Sequence, residues 1–151
     1  MKDIGEEIKQ KKFNSAIEKA VINMVFTTNW LNLRNSQLFK KYGISLQQFN
    51  VLRILRGQHP TPVTINLISD RMLDKSSNAS RLVDKLVLKE LVERKECPND
   101  RRAVDILITD KGLEVLSKLD VVIKDFHKEL EKNITKEEAE KLNELLNKIR
   151  Q

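Results

Sequence analysis

The sequence holds one cysteine, two histidines, five phenylalanines, one tryptophan and one tyrosine among 151 residues. A single cysteine excludes a disulfide framework within the chain and a multi-cysteine zinc site. Two histidines leave little for a histidine-rich metal centre, so no metal site is expected. With aromatics this scarce, a large aromatic-lined cofactor cavity is not expected, and no cofactor is assigned. No apolar run approaches the roughly 18 residues needed to cross a bilayer. The start, MKDIGEEIKQKKF, carries acids and lacks the apolar segment of a secretory signal. A cytoplasmic protein with no membrane partner is expected. There is no Gly-rich phosphate loop, no nucleophile–base pair and no metal-ligand set, so the sequence does not read as an enzyme.

What is present is a third charged residues and 40% apolar ones, enough for a core in a chain of one-domain length. The formal net charge of +6 points to an anionic partner, but it is unevenly placed. Residues 1–60 hold ten Lys/Arg against four Asp/Glu; residues 61–110 and 111–151 each hold nine of either sign. If the middle segment binds nucleic acid, its cations must gather on one face and its acids elsewhere.

The hydropathy pattern is mainly α with one small β-hairpin. A long helix is expected from about Phe13 to Lys41, with Phe13, Ile17, Ala20, Val21, Met24, Thr28 and Leu31 at spacings of three and four. Val25, Phe26, Trp30 and Leu33 widen that stripe, and a helix apolar on more than one side needs more than one partner. Ser45 opens a second helix, which Gly57 ends. Thr64 opens a third, Ile65 to Leu73, and Asp74 or Ser76 a fourth, reaching about Glu90. On the fourth, Ala79, Leu82, Val83 and Leu86 form the inner face. Ser77, Ser80, Arg81 and Asp84 lie opposite, with Lys85 on the flank. The period then changes to two: Leu91–Glu96 and Val104–Thr109 read as strands around a turn-rich tip, residues 97–103, that carries Arg101 and Arg102. Thr109 or Asp110 opens a fifth helix, its Leu113, Leu116, Leu119, Ile123, Phe126 and Leu130 forming a seam near the 3.5 period. Thr135 and Glu138 form a capping box for a last amphipathic helix bearing Leu142, Leu145, Leu146 and Ile149. The organisation is thus residues 1–42 as an N-terminal helical region, 43–109 as a helix-turn-helix with a wing, and 110–151 as C-terminal helices.

Two short helices followed by a hairpin with an arginine tip suit duplex DNA. A helix with small polar groups and one arginine on its outer face can enter the major groove. Ser76, Ser77 and Asn78 sit at its amino end, where unpaired N–H groups attract phosphate. Arg81 is long enough to reach a base edge or a phosphate. Arg102 or Arg101 can lie in the adjacent minor groove, with Asp100 holding the Arg102 guanidinium. Asp84, one turn beyond Arg81, is placed to orient it.

Asp74-Lys75-Ser76-Ser77-Asn78-Ala79-Ser80-Arg81-Leu82-Val83-Asp84-Lys85-Leu86, followed by Leu91-Val92-Glu93-Arg94, Asn99-Asp100-Arg101-Arg102-Ala103-Val104 and Leu107-Ile108-Thr109-Asp110-Lys111-Gly112, resembles the MarR family of bacterial winged-helix transcription regulators. The resemblance spans roughly residues 30–130. It implies a sequence-specific repressor that binds double-stranded DNA as a homodimer at a pseudo-palindromic operator and releases it when a small-molecule effector binds, with residues 1–42 as the N-terminal dimerisation region, 43–109 as a winged helix-turn-helix and 110–151 as the C-terminal dimerisation helices. It assigns DNA contact to Ser76, Ser77, Asn78, Ser80, Arg81 and Lys85, and to the wing residues Asp100, Arg101 and Arg102. It also suggests an effector region that Phe26, Trp30, Phe49, Leu52, Arg53 and His59 can reach. The family's wing commonly opens Asp-Pro-Arg; here it is Cys97-Pro98-Asn99, so one charge of each sign is missing. Cys97 is an oxidant sensor only if nearby arginines lower its pKa, and otherwise a packing residue. His127 and Glu131 are spaced as a surface pair. A winged-helix module that binds protein, without sequence-specific DNA binding, is the alternative reading.

Overall fold

The computed structural model describes residues 2–97 and 100–151, except for the side chains of residues 96, 97 and 100–103. The chain divides into two compact units, Met1–Leu46 and Gln47–Gln151.

The first unit holds α1 (Ile4–Glu7) and α2 (Ala16–Lys40). Four residues are too few to show a period, and the sequence gives no sign of α1. Asp3 caps it by accepting from the Gly5 N–H at 2.9 Å. The same carboxylate meets Lys19 Nζ of α2 at 2.7 Å. Lys19 and the Gly5 amide together hold the Asp3 carboxyl below its usual range. Helix α2 begins at Ala16 rather than Phe13, because the Ser15 hydroxyl accepts from the Glu18 N–H at 3.0 Å and fixes the start there. Gly43 takes φ +68° after the helix end, a left-handed turn that favours glycine. Phe39 is the only residue of α2 that is buried. Ile17, Val21, Val25 and Leu33 lie in solvent, Ile17 73% and Leu33 60% exposed.

The second unit contains α3 (Leu46–Arg56, from Gln47 on), α4 (Ile65–Arg71), α5 (Ala79–Val87), β1 (Val92–Cys97), β2 (Asp100–Ile108), α6 (Asp110–Leu130) and α7 (Lys136–Ile149). Its core is built from the inner positions of these elements: Val51, Leu52, Ile68, Val83, Leu86, Ile106, Leu116 and Leu119 are completely buried. The strands pair antiparallel from Val92↔Ile108 to Glu96↔Val104. The register then shifts, and Cys97 pairs with Asp100. The backbone of Cys97 and of residues 100–103 is therefore strand, where the sequence reading places a turn-rich tip over residues 97–103. Val63 adds a third, one-residue rung, exchanging hydrogen bonds of 3.0 and 2.8 Å with Ile106.

Where β2 turns into α6, four residues interlock. Thr109 accepts from the Gly112 N–H and donates its hydroxyl to the Glu90 carbonyl at 2.8 Å. Lys111 Nζ meets the Glu90 carboxylate at 2.6 Å and draws its pKa down. Arg56 of α3 grips Asp120 of α6 with both terminal nitrogens. Thr135 and Glu138 form the expected reciprocal cap of α7. No residue of α7 is buried, and Leu142, Leu145 and Ile149 are exposed. Among the described residues no helix is long and apolar enough to cross a membrane.

Candidate nucleic-acid interface

Helix α4 starts at its Thr64 cap and ends at Arg71, so Met72 can turn inward and be buried. The Leu73 N–H donates to Asn50 Oδ1 of α3 at 2.9 Å, which pins the turn between α4 and α5. Asp74 then organises the next three residues. Its Oδ1 accepts from the Ser76 N–H at 3.0 Å and from the Ser76 hydroxyl at 2.6 Å, and its Oδ2 from the Ser77 hydroxyl at 2.9 Å. The Ser76 hydroxyl, the Ser77 hydroxyl and the Gln47 side chain all favour the ionised carboxylate and hold the Asp74 pKa below its usual value.

Because Asp74 is occupied with this turn, it does not cap α5, and neither does Ser76. Asn78 does: its Oδ1 accepts from the Arg81 N–H at 3.0 Å. The helix is correspondingly shorter than expected, Ala79–Val87. Ser76 and Ser77 precede it rather than lying on its outer face. Nor are the amides at this end all open to phosphate, since those of Ser76 and Arg81 have side-chain acceptors. Ala79, Val83 and Leu86 are buried, as the phase of the sequence requires. Ser80, Arg81, Asp84 and Lys85 are exposed.

Asp84 does not orient Arg81. Its carboxylate lies 2.7 Å from Arg94 Nη2 on β1, across to the hairpin. The one acid on the outward side of α5 is thereby neutralised by the wing strand. Among the described residues neither Arg81 nor Lys85 forms an ion pair, so α5 presents two cations outward. Lys75 donates to the Asp70 carbonyl and helps close the preceding turn. Asp100, Arg101 and Arg102 fall in β2, and their side chains, with that of Cys97, lie outside the described residues, as do Pro98 and Asn99. The proposed Asp100–Arg102 contact lies there too.

Of the six residues assigned to an effector, Phe26 and Trp30 belong to the first unit and Phe49, Leu52, Arg53 and His59 to the second. Phe26 and Trp30 line a groove of about 480 Å³ between α1 and α2, with Ile4, Glu7, Asn23 and Thr27. The Arg34 guanidinium stands 5.7 Å from the Trp30 ring centre. Phe49 and Leu52 belong to the core of the second unit and are buried, so they serve packing. Arg53 lies 5.9 Å over the Phe49 ring, and His59 is exposed beyond the end of α3. Among the described residues no cluster of metal-ligating side chains occurs. Sequence reasoning gave Asp74 the role of a helix cap and not of the turn it holds, and it missed Arg94 as the partner of Asp84. The Asp-x-Ser spacing at Asp74 is a local signal for such a turn; the reach of Arg94 to another element leaves no such signal.

A helix pair, a capped third helix with cations outward and a hairpin tied to that helix define a winged helix-turn-helix protein. The MarR family model matches residues 42–103. The chain is 30% identical over 145 residues to the multiple antibiotic resistance protein MarR of Escherichia coli (strain K12), covering 91% of this chain and 98% of that protein. It is 33% identical over 112 residues to the HTH-type transcriptional regulator MhqR of Bacillus subtilis (strain 168), covering 72% and 74%. Its fold is similar to that of a MarR transcription factor from Planctomyces limnophilus, with a TM-score of 0.69 and 29% identity over 92% of this chain and 98% of that one. The chain belongs to the MarR family of DNA-binding transcriptional regulators, and is a regulator rather than an enzyme.

Proposed function

We propose that this regulator is a cytoplasmic homodimeric repressor that binds a pseudo-palindromic operator, places one α5 in the major groove of each half-site, and lets go when a small-molecule effector binds. The observation that carries the reading is the outer face of α5. Arg81 and Lys85 stand exposed there while Asp84 is neutralised from β1, so the surface offered to a duplex is cationic although the segment is neutral overall. In this reading Arg81 and Ser80 approach base edges, Lys85 a phosphate, and the wing residues Arg101 and Arg102, with Asp100, the neighbouring minor groove. The apolar stripe Ile17, Val21, Val25 and Leu33 and the exposed Leu142, Leu145 and Ile149 supply the surface for a second copy. The Phe26–Trp30 groove is the place in the first unit that this reading gives to an effector.

Selection of bound duplexes from a random pool tests this directly. The expected product is a pseudo-palindrome with half-sites about one duplex turn apart; enrichment of no sequence, or of a single unrepeated element, refutes it. Leu73 and Leu88, 85% and 84% exposed, favour the second reading, a protein-docking winged helix. The two differ in salt dependence: counterion release makes DNA binding fall steeply with salt, whereas an apolar protein contact changes little.

A further inference from the structure

The hydrogen bonds around Asp74 fix which way two serine hydroxyls point their protons. An ionised carboxylate only accepts, so at 2.6 and 2.9 Å the Ser76 and Ser77 hydroxyls are the donors. Each hydroxyl has one proton and two lone pairs. With the proton turned inward to Asp74, only lone pairs face outward. Such a surface repels phosphate oxygens, which are acceptors as well, and the Asp74 charge adds to the repulsion. The groups it can meet in a major groove are the amino groups of adenine N6 and cytosine N4. Asn78 has the opposite polarity. Its Oδ1 is committed to the Arg81 N–H, leaving its Nδ2 to donate.

Resting on the DNA-binding reading above, we infer that Ser76 and Ser77, held by Asp74, are acceptor-only specificity determinants that select an amino-bearing base, adenine or cytosine, against guanine or thymine at one position of each half-site. Asp74 is the positioning residue and does not itself touch DNA. Gln47 of α3 also donates to Asp74 and ties the arrangement to the helix behind it. The entrance to the recognition helix thus presents two acceptors and then the donors Asn78 and Arg81, an ordered polarity rather than a general phosphate grip.

The test compares duplex selection by the unaltered protein, by Asp74→Ala and by the Ser76→Ala/Ser77→Ala double variant, with thermal stability measured for each. The unaltered protein is expected to recover adenine and cytosine over guanine and thymine at one position per half-site by roughly three- to tenfold, the worth of a single hydrogen bond. Both variants are expected to lose that preference while keeping the rest of the palindrome. If Asp74→Ala does not fold, the serine double variant, altered only at the turn, decides alone. A palindrome whose adenine/cytosine position survives the serine double variant, or that has no such position, overturns this inference and leaves the DNA reading standing. Absence of any palindrome overturns both.

Discussion

The Arg94 guanidinium of β1 lies 2.7 Å from the Asp84 carboxylate of α5. It is the described ion pair that joins the recognition helix to the wing, and both partners are partly exposed, so its worth to stability is at most about 1 kcal/mol. Its consequence is geometric: it ties the outer face of α5 to β1. Asp84→Ala removes an acid from the surface proposed to face DNA, and charge alone would tighten binding. The pair's positioning role predicts the reverse, a several-fold loss of operator affinity with a nearly unchanged melting temperature. A double-mutant cycle with Arg94→Ala checks it, and strictly additive effects on affinity would remove the positioning role.

Gly112 sits in the first turn of α6, directly under the β2–α6 junction. A Cβ there would overlap the Leu91 carbonyl oxygen and come within 2.7 Å of Ile108 Cγ1. Neither the backbone oxygen nor the buried isoleucine can step aside cheaply. Gly112→Ala is expected to destabilise the protein by about 2–3 kcal/mol, read as a lower denaturant midpoint at an unchanged slope. A variant as stable as the parent would show that the junction is loose.

The exposed stripe of α2 gives the dimer proposal its clearest test. Val25→Asp puts a charge into the middle of the surface assigned to the second copy while leaving the buried Phe39 untouched. Sedimentation of the parent is expected to give about 35 kDa, twice the 17.6 kDa chain. The variant is expected near the single-chain mass, with operator binding lost because two half-sites are no longer read together. A monomeric parent would contradict the proposal outright.

Local rules made most of the fold legible. Thr64, Thr109 and Thr135 each cap the helix that their spacing announces, because a cap and the amide it receives are three residues apart. The inner face of α5 follows from phase alone. The errors arise where two local signals compete or where the partner is distant in the chain. Asp74 and Asn78 are both sound caps by residue type; Ser76 and Ser77 decide between them by drawing Asp74 into a turn. Asp84 was matched to Arg81 by helical spacing, yet Arg94, on a different element, takes it. Residues 97–103 have the composition of a turn-rich tip, but Cys97 and Asp100 pair as strand, an outcome of backbone pairing that composition does not show. At the candidate site, residue types showed which side chains face outward. The direction of their hydrogen bonds needed coordinates.

Titration of Asp74 reports those bonds without DNA. The folded-state pKa is lowered, first by the Ser76 hydroxyl and then by that of Ser77. A carboxylate lowered on folding contributes stability that is present above its unfolded value, near 4, and is lost as pH falls through the lower folded value. Ser76→Ala/Ser77→Ala is expected to move the Asp74 midpoint, followed by carboxyl-carbon NMR, back up toward the ordinary range. A midpoint unmoved by the double variant would mean that the serines do not donate to it in solution.

Arg81 and Lys85 lie four residues apart on the exposed side of α5, and the proposal gives them different work. An arginine that pairs with a base edge discriminates among sequences; a lysine that neutralises phosphate does not. Arg81→Ala is therefore expected to relax specificity at about one base-pair position, costing about 1–3 kcal/mol there. Lys85→Ala should weaken binding to every duplex alike and reduce the slope of log affinity against log salt by about one. Titrations of each variant against the selected operator and a set of single-position changes, at three or more salt concentrations, separate the two effects. If Arg81→Ala instead flattens the salt slope and leaves discrimination intact, Arg81 is a phosphate contact, and base reading by α5 falls to Ser80 and to the turn held by Asp74.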